Sequence, residues 1–224
     1  MENEFIERNF LKFYIGNRQL HCHIDALHAT APKADLFTEE IVEKVLENTN
    51  CSGIISKISR TVADLNRKPN GQNDEAIIQY RRIVKSILRY LGILDMKTGT
   101  LTQPYLHLSI HGMKDVYYGP NAIEIGTFNG KSCSLKMSEW FLEKIKVRSK
   151  EVIPKIEIIF NNKFDGDESI IFHRLGDQKA YGGYGDHFHT FQIEIARTLR
   201  ENYLSEIVEI LSNVINDFRK MALI

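Results

Sequence analysis

The 224-residue chain has no excess of either charge: Lys+Arg and Asp+Glu stand at 29 each. Nucleic-acid surfaces normally carry a basic excess or stripe, so the balance argues against a nucleic-acid partner while leaving room for a local basic pocket. No apolar run approaches the roughly 20 residues that span a bilayer, which argues against a membrane partner. The N-terminal Met1-Glu2-Asn3-Glu4-Phe5-Ile6-Glu7-Arg8 is too acidic for a secretory signal. Cysteine is scarce. Cys22, Cys51 and Cys133 are far apart, with no Cys-x-x-Cys pair. A sparse, odd count suits a reduced, cytoplasmic protein better than a disulfide framework. Cys22 and Cys133 are candidate nucleophiles, but buried apolar packing is the expected role. A thiol enzyme finds little support, because only Cys22 has histidines beside it, His21 and His23. There is also no Gly/Ser/Pro linker and no low-complexity block. Residues 1–224 are therefore expected to form a single domain with a substantial core.

What is present is an alternation of two periods. Leu20 to Ala29, Gly53 to Ser59, Tyr105 to Ile110, Ala122 to Gly126, Ile156 to Phe160 and Thr190 to Ile195 read as strands. Helical spacing marks Thr38 to about Asn48, with Thr38 as its cap, and residues 75–91, with Gly92 as its stop. It also marks Lys131 to about Lys146 and the last twenty residues. Residues 68–74 read as a surface loop. Strands interleaved with helices predict an α/β fold with a sheet covered on both faces. Active sites of such folds gather at the carboxyl ends of strands.

Chemistry concentrates at those ends. Ser59-Arg60-Thr61-Val62-Ala63-Asp64-Leu65-Asn66-Arg67 follows an apolar run and brings together two arginines, an aspartate and an asparagine. Guanidinium groups grip carboxylates through paired hydrogen bonds, so the stretch reads as an anion clamp; the competing reading is a polar loop with surface ion pairs. Catalytic zinc takes three protein ligands from His, Asp or Glu and leaves a position open. Among eight histidines there is no His-Glu-x-x-His helix. His28 ends the first strand, Asp35 follows, and His111 ends the Tyr105 strand just before Gly112, a residue that lets the backbone turn sharply. His107 and Ser109 share the face of His111, either supporting it or lying on a solvated face. Gln192 and Glu194 share the face opposite Phe191, Ile193 and Ile195, so Glu194 is either a general base or a strand glutamate paired with Arg197 or Arg200. The run Gly182 to His189 reads as a flexible pocket rim. The stretch Gly126 to Ser132 lacks the spacing of a phosphate loop and reads as a tight turn into a helix. A histidine, a carboxylate and an arginine clamp are together the parts of a metal-assisted hydrolase acting on an acidic substrate.

The order of these motifs resembles the N-formylglutamate amidohydrolases and the zinc poly-γ-glutamate hydrolases and, more distantly, aspartoacylase and carboxypeptidase A. His28, Asp35 and Thr38-Glu39-Glu40 match the first zinc block. Ser59-Arg60 with Asp64-Leu65-Asn66-Arg67 matches the clamp block, His111-Gly112 the third ligand, and Gln192-Ile193-Glu194 the general-base strand. The first block departs from the family: Pro-His-Gly-Gly or Pro-His-Ser-Gly is usual there, where this chain has Leu27-His28-Ala29-Thr30-Ala31-Pro32 before Asp35. His21 and His23 with Asp25 stand as alternative ligands. The resemblance implies a three-layer α/β/α domain with a mixed central sheet, phosphorylase/hydrolase-like and specifically zinc carboxypeptidase-like. It implies Zn2+ on His28, Asp35 and His111, and Glu194 as general base. Arg60 would steady the oxyanion, Asn66 and Arg67 would hold a substrate carboxylate, and Asp64 would orient an arginine. The implied activity is hydrolysis of an amide in an N-acyl acidic amino acid or a γ-glutamyl-type substrate. The alternative is a metal-free member that binds a carboxylate ligand.

Overall fold

The computed structural model describes residues 4–222, so Met1 to Asn3 of the acidic N-terminal stretch, and Leu223 and Ile224, lie outside the described residues. Eight strands form one mixed sheet: β1 (Ile6–Glu7), β2 (Leu11–Tyr14), β3 (Cys22–Ala26), β4 (Ser52–Ser56), β5 (Tyr105–Met113), β6 (Ala122–Gly126), β7 (Glu157–Phe160) and β8 (Phe188–Ala196). Their spatial order is β1-β2-β4-β3-β5-β8-β6-β7. The central β4, β3, β5 and β8 run parallel, while β2 and β6 pair antiparallel to β4 and β8. Six helices complete the described residues: α1 (Thr38–Thr49), α2 (Asp74–Leu91), α3 (Leu135–Val152), α4 (Ser169–Leu175), α5 (Arg197–Asn202) and α6 (Leu204–Ala222). The described residues form a three-layer α/β/α fold with a sheet covered on both faces, as the alternation of periods predicts, and the sheet is mixed, as the family resemblance implies.

The two faces of the sheet are unlike. On one, Leu106, Leu108 and Ile110 of β5 and Phe191, Ile193 and Ile195 of β8 pack with apolar residues of α1, α3 and α6, among them Val42, Phe141 and Leu211. This is the core that the period-two pattern points to, and burying those side chains is the main driving term for the layer. On the other face, α2 covers Tyr105 and Phe188 near the start of their strands, and the rest of the face is polar. That polar face is not solvated: His107 is 3 % exposed, Ser109 2 %, His111 2 % and Glu194 7 %. A polar residue buried in this way needs a partner for every donor and acceptor, so this face has to be a network.

Local outcomes differ from expectation in a few places. Thr38 is the first helical residue and not the cap; the cap is Phe37, and the Thr38 hydroxyl donates back to Asp35 O at 2.7 Å. The third helix starts at Leu135, capped by Ser134, because Phe128 and Asn129 adopt left-handed φ and hold residues 127–132 in a turn. Helix α4 and the short strands β1 and β2 offer too few residues to show a period. Gly92 caps α2 with φ of 75°. The thiols of Cys22 and Cys133 are buried, and burial pushes Cys133 up to about 11 and Cys22 well above its ordinary value. A thiolate nucleophile is therefore unavailable at either position.

Candidate metal centre and active site

The candidate site lies at the carboxyl end of the central strands. Strand β3 ends at Ala26, and the turn that follows presents His28. β5 runs to Met113, three residues past the expected Ile110, so His111 sits within the strand, paired in register with Glu194 of β8. Gly112 therefore makes no sharp turn. Its lack of a side chain serves Arg200: a Cβ there would lie 2.6 Å from Nη2 of that guanidinium. Arg200 donates to the carbonyls of Ile195 (3.0 Å), Met113 (3.3 Å) and Leu36, tying the ends of β8 and β5 to the loop that carries Asp35.

The structure brings His28, Asp35 and His111 together, with one donor atom from each within 4.8 Å of the others. The two Nδ1 atoms are 3.1 Å apart, and Asp35 Oδ2 lies 3.5 Å from that of His28 and 3.4 Å from that of His111. The outward nitrogens decide the tautomers. His28 Nε2 is 2.8 Å from Asp64 Oδ1, and an ionised carboxylate only accepts, so His28 carries its proton on Nε2. His111 Nε2 lies 3.2 Å from Ser109 Oγ, whose single proton goes to Asp25 Oδ1 at 2.7 Å; Ser109 can then only accept, and His111 also carries its proton on Nε2. In the neutral rings both Nδ1 atoms are then bare lone pairs facing a carboxylate. Three acceptors that converge with no hydrogen between them are matched by a cation. The set of two imidazoles and one carboxylate suits a divalent metal with positions left for other ligands.

A second group, His23, Asp25 and His107, has the same composition. Its rings stack in parallel, centroids 4.0 Å apart and planes at 8°, so their lone pairs point along parallel lines and not at a common point. A metal at about 2 Å from both nitrogens would lie far out of the ring planes. Asp25 is already filled by Tyr80 OH (2.6 Å), His107 Nε2 (2.8 Å) and Ser109 Oγ. His23 and Asp25 are thus not ligands of the rim cluster, and His21, at the opposite end of β3, joins neither group.

Around the rim cluster is a cavity of about 300 Å³ that also exposes Arg60, Asn66, Arg67, Lys163 and Glu194. Arg60 Nη2 lies 2.7 Å from Asp35 Oδ1, a close ion pair without hydrogen-bond alignment; among the described residues its buried Nε and Nη2 have no hydrogen-bond partner. Burial works to raise the Asp35 carboxyl, but the neighbouring imidazoles of His111 and His28 and the charge of Arg60 hold it well below the carboxylate range. Arg67 is half-exposed at the mouth, donating to Asn66 O at 2.9 Å and 3.7 Å from Asp167. Asn66 Nδ2 donates to Gln192 Oε1 at 3.2 Å, and Gln192 Nε2 donates to Glu194 Oε1 at 3.2 Å.

Glu194 shares the cavity with His111. It has no ion pair with Arg197, which binds Glu201 at 2.9 Å, nor with Arg200, which binds backbone. Burial, with Asp35 and Glu124 adding to it against His111 and Arg60, pushes its carboxyl up to about 7. Asp64 orients His28 and not an arginine. Residues 182–184 border a different cavity beside α2, away from this site. The far wall here, Lys163, Phe164, Gly166 and Asp167 after β7, carries no sequence signal beyond ordinary turn chemistry.

No protein-family model and no curated protein matches the sequence. Solved structures do match. N-formylglutamate amidohydrolase from Ralstonia eutropha JMP134 aligns with a TM-score of 0.66 at 13 % identity, over 96 % of this chain and 98 % of that one. A bacteriophage poly-gamma-glutamate hydrolase aligns at 0.51 and 12 % identity, over 95 % and 91 %. A metallo-carboxypeptidase from Burkholderia cenocepacia aligns at 0.56 and 12 % identity, over 99 % of this chain and 66 % of its own. The chain therefore has the fold shared by N-formylglutamate amidohydrolase, poly-gamma-glutamate hydrolase and the metallo-carboxypeptidases, the group that its motif order resembles.

Proposed function

We propose that the protein is a zinc-dependent amidohydrolase that cleaves an amide bond of a small acidic substrate, an N-acyl acidic amino acid or a γ-glutamyl compound. The observation that carries this reading is the convergence of two bare Nδ1 atoms and the Asp35 carboxylate on one point beside Glu194. His28, Asp35 and His111 would hold the ion, which when bound supplies Lewis acidity toward the amide carbonyl and acidifies water.

The chain's own residues supply the rest. Glu194, raised to about 7, is matched to removing a proton from the attacking water near neutral pH. As the carbon–nitrogen bond breaks, the same carboxyl hands that proton to the leaving nitrogen, so the base is regenerated. The partnerless Nε and Nη2 of Arg60 are available to the carbonyl oxygen as it gains charge. Arg67, assisted by Asn66, holds the substrate carboxylate at the mouth and fixes the scissile bond over the metal ligands. A cavity of about 300 Å³ suits a small molecule.

The test is metal analysis of protein purified without chelator or nickel resin, followed by amine release from N-formylglutamate, other N-acyl aspartates and glutamates, and γ-glutamyl peptides. Stoichiometric zinc and zinc-dependent turnover on one of these classes is the expected result. A protein that takes up no zinc and releases no amine, yet binds N-acylglutamate, is a carboxylate-binding protein and overturns the reading.

A further inference from the structure

Beneath the candidate metal centre lies a buried carboxylate to which the proposed reaction gives no task. Asp25 is wholly buried in β3 and accepts three hydrogen bonds, from Tyr80 of α2 and from His107 and Ser109 of β5. Burying a charge at the centre of a sheet is costly unless every lone pair has a donor, so its presence calls for a reason. The direction of the Ser109 bond supplies one. Ser109 has one proton, and Asp25 can only accept, so the proton is committed to Asp25 Oδ1 at 2.7 Å. What Ser109 Oγ offers His111, 3.2 Å away, is a lone pair. The offer can be met only by an Nε2–H.

We propose that Asp25, acting through Ser109, is a positioning element that locks His111 in the Nε2–H tautomer, leaving Nδ1 bare and aimed into the cluster with His28 and Asp35. The carboxylate–histidine contact that commonly fixes a metal ligand is direct at His28, through Asp64, and relayed by a hydroxyl at His111. The relay has a geometric cause. Asp25 and Ser109 are register partners on adjacent parallel strands, and His111 is two residues further along the same face of β5. Asp25 is thus one step too deep to reach His111 itself, and the serine closes the gap. Tyr80 and His107 both bond Asp25 Oδ2, which leaves Oδ1 to the Ser109 proton.

The inference rests on the metal reading for its purpose but not for its test. The tautomer of His111 is read from the imidazole nitrogen shifts of the metal-free protein at alkaline pH, in the wild type and in Ser109→Ala, with zinc affinity then measured by chelator competition. The wild type is expected to show His111 protonated on Nε2. Ser109→Ala is expected to keep its fold with a lowered melting temperature, because Asp25 loses one of its three donors, to show a mixed tautomer, and to lose about 10-fold or more in zinc affinity, the scale of a lost outer partner. A wild-type His111 carrying its proton on Nδ1 overturns the proposal. So does a Ser109→Ala protein whose His111 spectrum and zinc affinity match the wild type. A wild type that binds no zinc defeats the metal reading instead, and the nitrogen shifts still decide the relay.

Discussion

Two clusters of one composition, His-Asp-His, lie on the same buried face of the sheet and use their nitrogens in opposite ways. At the rim, His28 and His111 send their Nε2 protons outward to Asp64 and Ser109, and their Nδ1 lone pairs meet Asp35 across a cavity. In the depth, His107 gives its Nε2 proton to Asp25, and His23 stacks on it in parallel with Nδ1 bonded to Tyr105 OH at 2.9 Å. Their electrostatics diverge too. Although burial works against a charge on His28, the adjacent carboxylates of Asp35 and Asp64 raise its pKa above the ordinary histidine value. Burial, with repulsion from His107, holds His23 and His173 well below it. The rim therefore attracts a cation and the depth rejects one. Residue types do not distinguish a metal centre from a structural network; the direction of the lone pairs and the fate of the other ring proton do.

The comparison breaks most sharply at its two histidines. His111→Ala should abolish stoichiometric zinc binding. His107→Ala should keep the zinc and lose about 2–3 kcal/mol of stability, because Asp25 forfeits a charged hydrogen bond in the interior. Metal analysis and urea denaturation of the pair check this, and retained zinc in His111→Ala would reverse the assignment of the clusters.

Glu194 stands beside the rim alone. Glu194→Gln keeps the shape and removes the base, so turnover on a confirmed substrate should fall by roughly 10²-fold or more with zinc retained. A carboxyl raised to about 7 in the fold, against about 4.3 unfolded, stabilises the fold below the lower value and loses that contribution as pH rises through the upper one. The metal-free Gln variant should therefore be the more stable protein at alkaline pH, by about 3–4 kcal/mol. Equal stability there would show that Glu194 is not raised.

Acid sharpens the contrast further. His23 and His173, depressed in the fold, take up protons first in the unfolded chain. Their contribution is present above about pH 6.5 and fades below it. Denaturation midpoints should fall accordingly from pH 6.5 to 5, and His173→Gln should flatten the slope by up to about 1 kcal/mol per pH unit. The smallest effect is at the mouth. Arg67→Lys keeps charge but loses the forked geometry, and should weaken binding of an N-acyl acidic amino acid by about 1 kcal/mol, read as a change in KM.

Much of the scaffold was legible in the sequence. The alternation in Tyr105–Ile110 and Thr190–Ile195 assigns the apolar face correctly, and the helical stripe of 75–91 locates α2. The motif order also points to the residues that meet at the rim. What escaped was of a different kind. The wall formed by Lys163 to Asp167 comes from a turn with no period. Asp64 faces His28, 36 residues away, and no spacing along the chain reports that contact. The polar face of β5 was open to a solvated reading because an alternating pattern says which residues share a face but not what covers it.

The sequence by itself determined the fold class, the core face of each central strand and the chemical inventory of the site, because these follow from local periodicity and from residue chemistry that does not depend on neighbours. Only the tertiary structure decided which histidines point bare nitrogens at a common place, which glutamate is buried enough to hold a proton near neutrality, and that Asp25 reaches His111 through a serine. Those outcomes depend on hydrogen-bond direction and desolvation between strands up to 84 residues apart in the chain, and both arise when the sheet closes.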